Sequence, residues 1–201
     1  MGIVGGAEMY VYRMVCELSK RNWDIRVITI LDDNNLSVSL RNLDIPVYSL
    51  SAQSKIDIGI WRKLDKIWSH EKPQILHTHL FHAGILGRLL GRKVGIPIIL
   101  CHQGGPENSR PLHRTLIDRL TSHLVTRYVV PCLAVANVLT QREKVPIRKI
   151  DIIPNAVPVP PLGLNVSILN NGYKQFHSPV RLIAVGRLVW EKAQCMMVDA
   201  V

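Results

Sequence analysis

Three histidines crowd into the hexapeptide HTHLFH, as His77, His79 and His82. Residues two apart on a strand share a face, so His77 and His79 would present their imidazoles side by side to a metal ion or a ligand. A metallohydrolase of the H-x-H-x-D-H kind needs an acid where Phe81 stands. The sequence also has no D-x-D pair to hold a divalent ion on a nucleotide diphosphate. Histidines at the carboxyl end of a strand equally cap loops or line a cleft, and no metal is assigned to these three. A further imidazole, His102, closes the apolar run IPIILCH just before Gly104 and Gly105. That puts it at the carboxyl edge of a sheet, where open α/β sheets bind ligands, although loop backbone would also satisfy it.

Two other segments have the residue types for anion chemistry. Gly5 and Gly6 precede a helical pattern, and glycines there let backbone N–H groups approach a phosphate at an electropositive helix end. A tight turn explains the same pair. Arg187 and Lys192, in GRLVWEK, flank a loop between an apolar run and a helical one, a spacing suited to a diphosphate and equally to a solvated basic loop. There is no G-x-G-x-x-G and no G-x-x-x-x-G-K-[ST], which argues against dinucleotide and Walker-type nucleotide sites.

The elements that would position these residues alternate strictly. EMYVYRMVCELSKR reads as a helix and DIRVITI as a strand; IPVYSL, QILHTH, IPIILCH, RYVVPC and KIDIIP follow as strands, with amphipathic helical stretches between most of them. Short apolar strands alternating with helices predict a doubly wound, parallel, Rossmann-like α/β sheet. Residues 1–154 are expected to form this domain, with only Met1 to Val4 left to supply its first strand. The proline- and asparagine-rich stretch 155–179 reads as a linker, and 180–201 as the start of a second domain that breaks off two turns into a helix. Both ends look clipped, and a fragment is the expectation.

Composition narrows the partners. The 201 residues carry a formal net charge of +10, which favours an anionic partner: nucleic acid, a phosphorylated substrate or an anionic membrane. Nucleic acid ranks last, because the basic residues lack interleaved aromatic platforms for stacking bases. Cys16, Cys101, Cys132 and Cys195 are widely spaced in apolar contexts and read as buried free thiols rather than a zinc or redox set. Without a signal-peptide pattern or a long apolar run, the chain reads as cytoplasmic.

Taken in order, GGAE at the first helix, ILHTHLFHAGILGRLLGRKVGIPIILCHQG, KIDIIPNAV and AVGRLVWEKAQ closely resemble the retaining group 1 (family 4) glycosyltransferases of the GT-B fold. The resemblance runs over nearly the whole chain. It implies an acceptor-side amino-terminal domain and the beginning of a donor-binding one. It further implies metal-independent transfer, with no cofactor, from a nucleotide-diphosphate sugar to a glycan or lipid-linked acceptor. By position, His102 would contact the donor sugar at the reacting centre, Gly5 and Gly6 would approach the donor, and Arg187 with Lys192 would bind its diphosphate. The family's downstream E-x7-E acids have no counterpart before Val201, so the 201 residues are expected to be inactive alone. Ala156, Ala193 and Cys132 stand where the family usually has glycine, glycine and serine. The alternative reading is a non-catalytic module that binds an acceptor or an anionic membrane on the inner face of the cell membrane. Its basic helical residues would be Arg62, Lys63, Lys66, Arg92, Lys93, Arg114 and Arg119.

Overall fold

The computed structural model describes residues 5–52, 57–105, 111–156 and 193–200. It falls into two units, Met1–Ala156 and Val157–Val201. In chain order the first unit contains α1 (Gly6–Ser19), β1 (Val27–Thr29), α2 (Asn35–Arg41), β2 (Val47–Ser49), α3 (Ile58–His70) and β3 (Ile75–His79). Then follow α4 (Phe81–Lys93), β4 (Ile98–His102), α5 (Leu112–Thr121), β5 (Arg127–Val130), α6 (Leu133–Arg142) and β6 (Ile150–Ile152). Of the second unit one helix is described, α7 (Gln194–Asp199).

Every strand pairing is parallel, in the order β3-β4-β5-β6 for one sheet and β1-β2 for the other. The architecture is thus the parallel α/β one expected, with one difference. The single sheet anticipated is described as two, because no strand joins β1 to β3 among the described residues. Met1 to Val4, the residues left to supply the expected first strand, lie outside them.

Helix α2 is absent from the sequence reading, since its apolar positions are too few for a clear period. It is held by its amino end, where Asn34 Oδ1 accepts from the backbone N–H groups of Leu36 and Ser37 at 3.0 Å each. The main core joins Leu90, Ile96, Ile99, Val130, Val135 and Leu139, which are almost fully buried. A smaller cluster of Val15, Leu40 and Ile45 ties α1 to α2 and the strand that follows.

The contact that matters most for the site is α4 on β3 and β4. A Cβ at Gly87 would collide with Thr78 Cγ2, and one at Gly91 would stand 3.0 Å from Leu76 Cδ2 and 3.1 Å from Ile99 Cδ1. Glycine at these two places lets the helix lie directly on the strands and fixes the height at which β3 and β4 end. No described helix is long and apolar enough to cross a membrane.

Buried free thiols were the expectation for all four cysteines, and the structure corrects it. Cys101 is buried, Cys16 is half-buried, and Cys132 and Cys195 are exposed. Cys132 sits at the amino end of α6, outside the apolar interior that its neighbours suggested.

Candidate functional site

Side chains alternate along a strand, so Leu76 and Thr78 face α4 while His77 and His79 face the opposite way. The parallel register aligns His79 with His102 and His77 with Leu100, so one sheet face carries three imidazoles. The ring centroids are 4.4 Å apart for His77 and His79, 5.2 Å for His79 and His102, and 6.3 Å for His77 and His102. Their ligand nitrogens all lie within 4.8 Å of one another.

His82 does not join them. The chain turns at Leu80 (φ 68°, ψ 165°), α4 begins at Phe81, and the His82 ring lies edge-on to Phe81 at 5.4 Å. The grouping of His77 with His79 and His82 therefore gives way to His77 with His79 and His102. Only strand pairing across more than twenty residues produces that set.

The three rings are held neutral. Burial pushes the His77 imidazole down to about 4, helped by the neighbouring His102. His79 is pushed to about 3 by burial, then by His77 and His102. Burial also lowers His102, which is 9% exposed. Nε2 of His77, Nε2 of His79 and Nδ1 of His102 are buried without a hydrogen-bond partner among the described residues.

Sequence reasoning missed Tyr10. It lies one turn into α1, with its ring 4.5 Å from that of His102 and 5.8 Å from that of His79. Burial raises its phenol. A tyrosine inside an apolar helical pattern reads as core, and only the packing of α1 over the ends of β3 and β4 reveals its place.

Gly5 and Gly6 lie at the amino end of the same helix. Gly5 is extended, and its N–H donates to Glu8 Oε2 at 3.1 Å, so this donor is already engaged by a carboxylate of the same helix. Gly6 is exposed, and a Cβ there would meet nothing within 4 Å. Arg187 and Lys192 lie outside the described residues.

A small cleft at the ends of β3 and β4 is lined by Leu80, Phe81, Gly84, Arg88, His102 and Asp118, among others. Its floor is an ion pair, Arg88 to Asp118 at 2.9 Å, with both side chains 5% exposed or less. Arg88 also donates to the Gly84 carbonyl and, at 2.9 Å, to Thr121 Oγ1, so its guanidinium bridges α4 and α5.

The chain matches the sequence profile of Glycosyltransferase Family 4 over residues 4–159. No curated protein matches in sequence. Among solved structures, the first unit's fold is shared with HepE of Anabaena, determined in complex with UDP and glucose. That likeness has a TM-score of 0.63 and 13% identity, covering 78% of this chain and 42% of that one. A glycosyltransferase from Rickettsia africae is similar with a TM-score of 0.55 and 15% identity, over 77% of this chain and 41% of that one. The chain thus spans less than half the length of either solved protein. With the matched profile covering most of its length and the parallel α/β architecture accompanying it, this chain belongs to glycosyltransferase family 4.

Proposed function

We propose that the chain is the acceptor-side part of a glycosyltransferase that moves a sugar from a nucleotide-diphosphate donor to a glycan or lipid-linked acceptor, with retention and without a metal in the transfer. The observation that carries this reading is the placing of His102. It ends β4 beside Tyr10 of α1, buried, with a ring nitrogen free of hydrogen bonds among the described residues. A neutral imidazole there can donate to or accept from a sugar hydroxyl without the cost of burying a charge.

In this reading residues 1–154 form the acceptor-side domain, 155–179 a linker and 180–201 the beginning of the donor domain. Arg187 and Lys192 would neutralise the departing diphosphate, and Gly6 leaves open space on the side the donor approaches. UDP and glucose in the Anabaena protein support a nucleotide-sugar donor here as well. The test is a chimera in which the donor-binding half of a structural relative is joined after residue 179 and supplied with UDP- and GDP-sugars. Nucleotide release by the chimera, and none by the 201 residues alone, is the expected pattern; a chimera that folds, binds donor and never transfers counts against it.

A second reading, a membrane- or acceptor-binding module on the inner face of the cytoplasmic membrane, is favoured by α5. This helix is inverted. Asp118 is buried, and Arg114 and Thr115 are half-buried, while Leu112, Leu116 and Leu120 are 83%, 56% and 63% exposed. Arg119 is exposed beside them. An apolar stripe of this kind with a basic neighbour suits an anionic bilayer surface.

Several other basic residues singled out from the sequence are committed within the fold. Arg92 donates to the carbonyls of Leu124, Ile96 and Pro97 and to Thr126 Oγ1, Lys63 donates to the Leu50 carbonyl, and Arg114 lies over the Phe81 ring at 4.9 Å. Flotation with vesicles rich in phosphatidylglycerol, lost when Leu112, Leu116 and Leu120 are changed to Ser, would support this reading; no flotation of the unaltered chain would remove it.

A further inference from the structure

We propose that His77, His79 and His102 form a site for a transition-metal cation, zinc above all, held by three imidazoles with the fourth position open. The inference does not rest on the transferase reading. It starts from the fact that the three ligand nitrogens already lie within 4.8 Å of one another. A zinc ion bound at about 2.0–2.1 Å in tetrahedral geometry holds its ligand atoms roughly 3.3 Å apart, so side-chain rotations of about an ångström bring the rings into place.

Two further observations point to a ligand. First, each imidazole has a buried nitrogen without a hydrogen-bond partner among the described residues: Nε2 of His77, Nε2 of His79 and Nδ1 of His102. A buried polar atom left unpaired is costly, and a cation bound among the three rings would offer these nitrogens a partner. Second, two of the ligands are fixed by strand geometry and the third by pairing. His77 and His79 share a face of β3, and His79 is the register partner of His102 on β4. A site carried on paired strands needs little ordering to bind, unlike one assembled from loops.

The donor set selects the metal class. Three imidazoles without thiolate suit zinc, copper, nickel or cobalt rather than magnesium or calcium, which require oxygen ligands. With no carboxylate among the three ligands the ion keeps its charge, and an anion or water would complete the shell, with the Tyr10 ring packed alongside.

Occupancy has a consequence for His102. One nitrogen of its ring would be taken by the metal, so a sugar could be contacted only through the other, and zinc would oppose donor engagement in an enzyme built on this domain.

The 201-residue chain, stripped with EDTA and dialysed, is titrated with zinc by calorimetry and with cobalt by visible absorption. One equivalent of zinc and the intense visible bands of four-coordinate cobalt are expected. His77→Ala and His102→Ala should each weaken zinc by more than the roughly 10- to 100-fold that loss of a supporting hydrogen bond costs. His82→Ala should bind as the unaltered chain does. Circular dichroism identifies a variant that has failed to fold, and His102→Gln then replaces it. Zinc uptake by the unaltered chain weaker than about 0.1 mM, about 5.5 kcal/mol of binding, overturns the proposal whatever the variants do. So does uptake that survives His77→Ala and His102→Ala but disappears with His82→Ala. None of these readings depends on sugar transfer, so failure of the transferase proposal leaves the metal result interpretable.

Discussion

His79 and His102 are register partners on neighbouring parallel strands, and their rings stack at 5.2 Å with planes 29° apart. Two imidazoles so placed cannot both take up protons cheaply. Each lies in a desolvated setting, and the charge of a protonated His102 would further oppose protonation of His79.

Acid should therefore unfold the metal-free chain early. The folded-state values of about 4 for His77 and about 3 for His79 lie below the ordinary 6.5. The unfolded chain thus binds more protons between those limits. Stability is fully present above about pH 6.5 and falls as pH drops, by about 1.4 kcal/mol per pH unit for each imidazole, until the folded values are reached. Tyr10 of α1 and His102 of β4 are the other titratable rings in the cluster. Urea denaturation at pH 7.5 and 5.0 checks this, and a double His77→Asn, His79→Asn variant should lose most of the difference.

The proposed place of His102 at the reacting centre is checked by a kinetic measurement. In an active chimera carrying a donor domain, His102→Ala should lower kcat by about tenfold to a thousandfold, the range for losing one positioned transition-state contact. His82→Ala, with its ring against Phe81 in α4, should leave kcat within about twofold.

Arg88 and Asp118 are expected to behave as a unit. Removing the arginine takes the ion-pair cation from a buried carboxylate, a change that costs about 3–5 kcal/mol. Arg88→Met should therefore destabilise strongly, while the double Arg88→Met, Asp118→Leu variant recovers most of the loss. Thermal denaturation of the four members of this cycle gives the coupling. Additive losses would mean that the pair does not act together.

Leu80 adopts φ 68° and ψ 165°, a region open in practice to glycine, at the turn that sends the chain from β3 into α4. The strain is of order 1–3 kcal/mol. Leu80 is 57% exposed, so little packing is lost when it is removed, and Leu80→Gly should raise stability by about 1 kcal/mol. A lower melting temperature for Leu80→Gly would show that the leucine side chain outweighs the strain.

Much of this protein is legible locally. The alternation of β-branched strands with helices foretold the parallel α/β order, because a period of two or of 3.6 is written in neighbouring residues and needs no knowledge of the rest of the chain. His102 at the end of β4 was visible for the same reason. Helix α2 was not, because its amino-end cap outweighs a weak apolar pattern.

What the tertiary structure alone decided is which residues meet. The trio His77, His79 and His82 is adjacent in sequence, yet the turn at Leu80 carries His82 away while the β3–β4 register brings His102 in across more than twenty residues. Tyr10 joins them only because α1 packs over those strand ends. Helix α5 has the same origin: Asp118 is drawn inward by Arg88 of α4, so the leucines that a sequence reading would bury are turned outward. In each case the deciding energy, the pairing of a ladder or the compensation of a buried charge, belongs to two segments at once, and neither segment encodes it by itself.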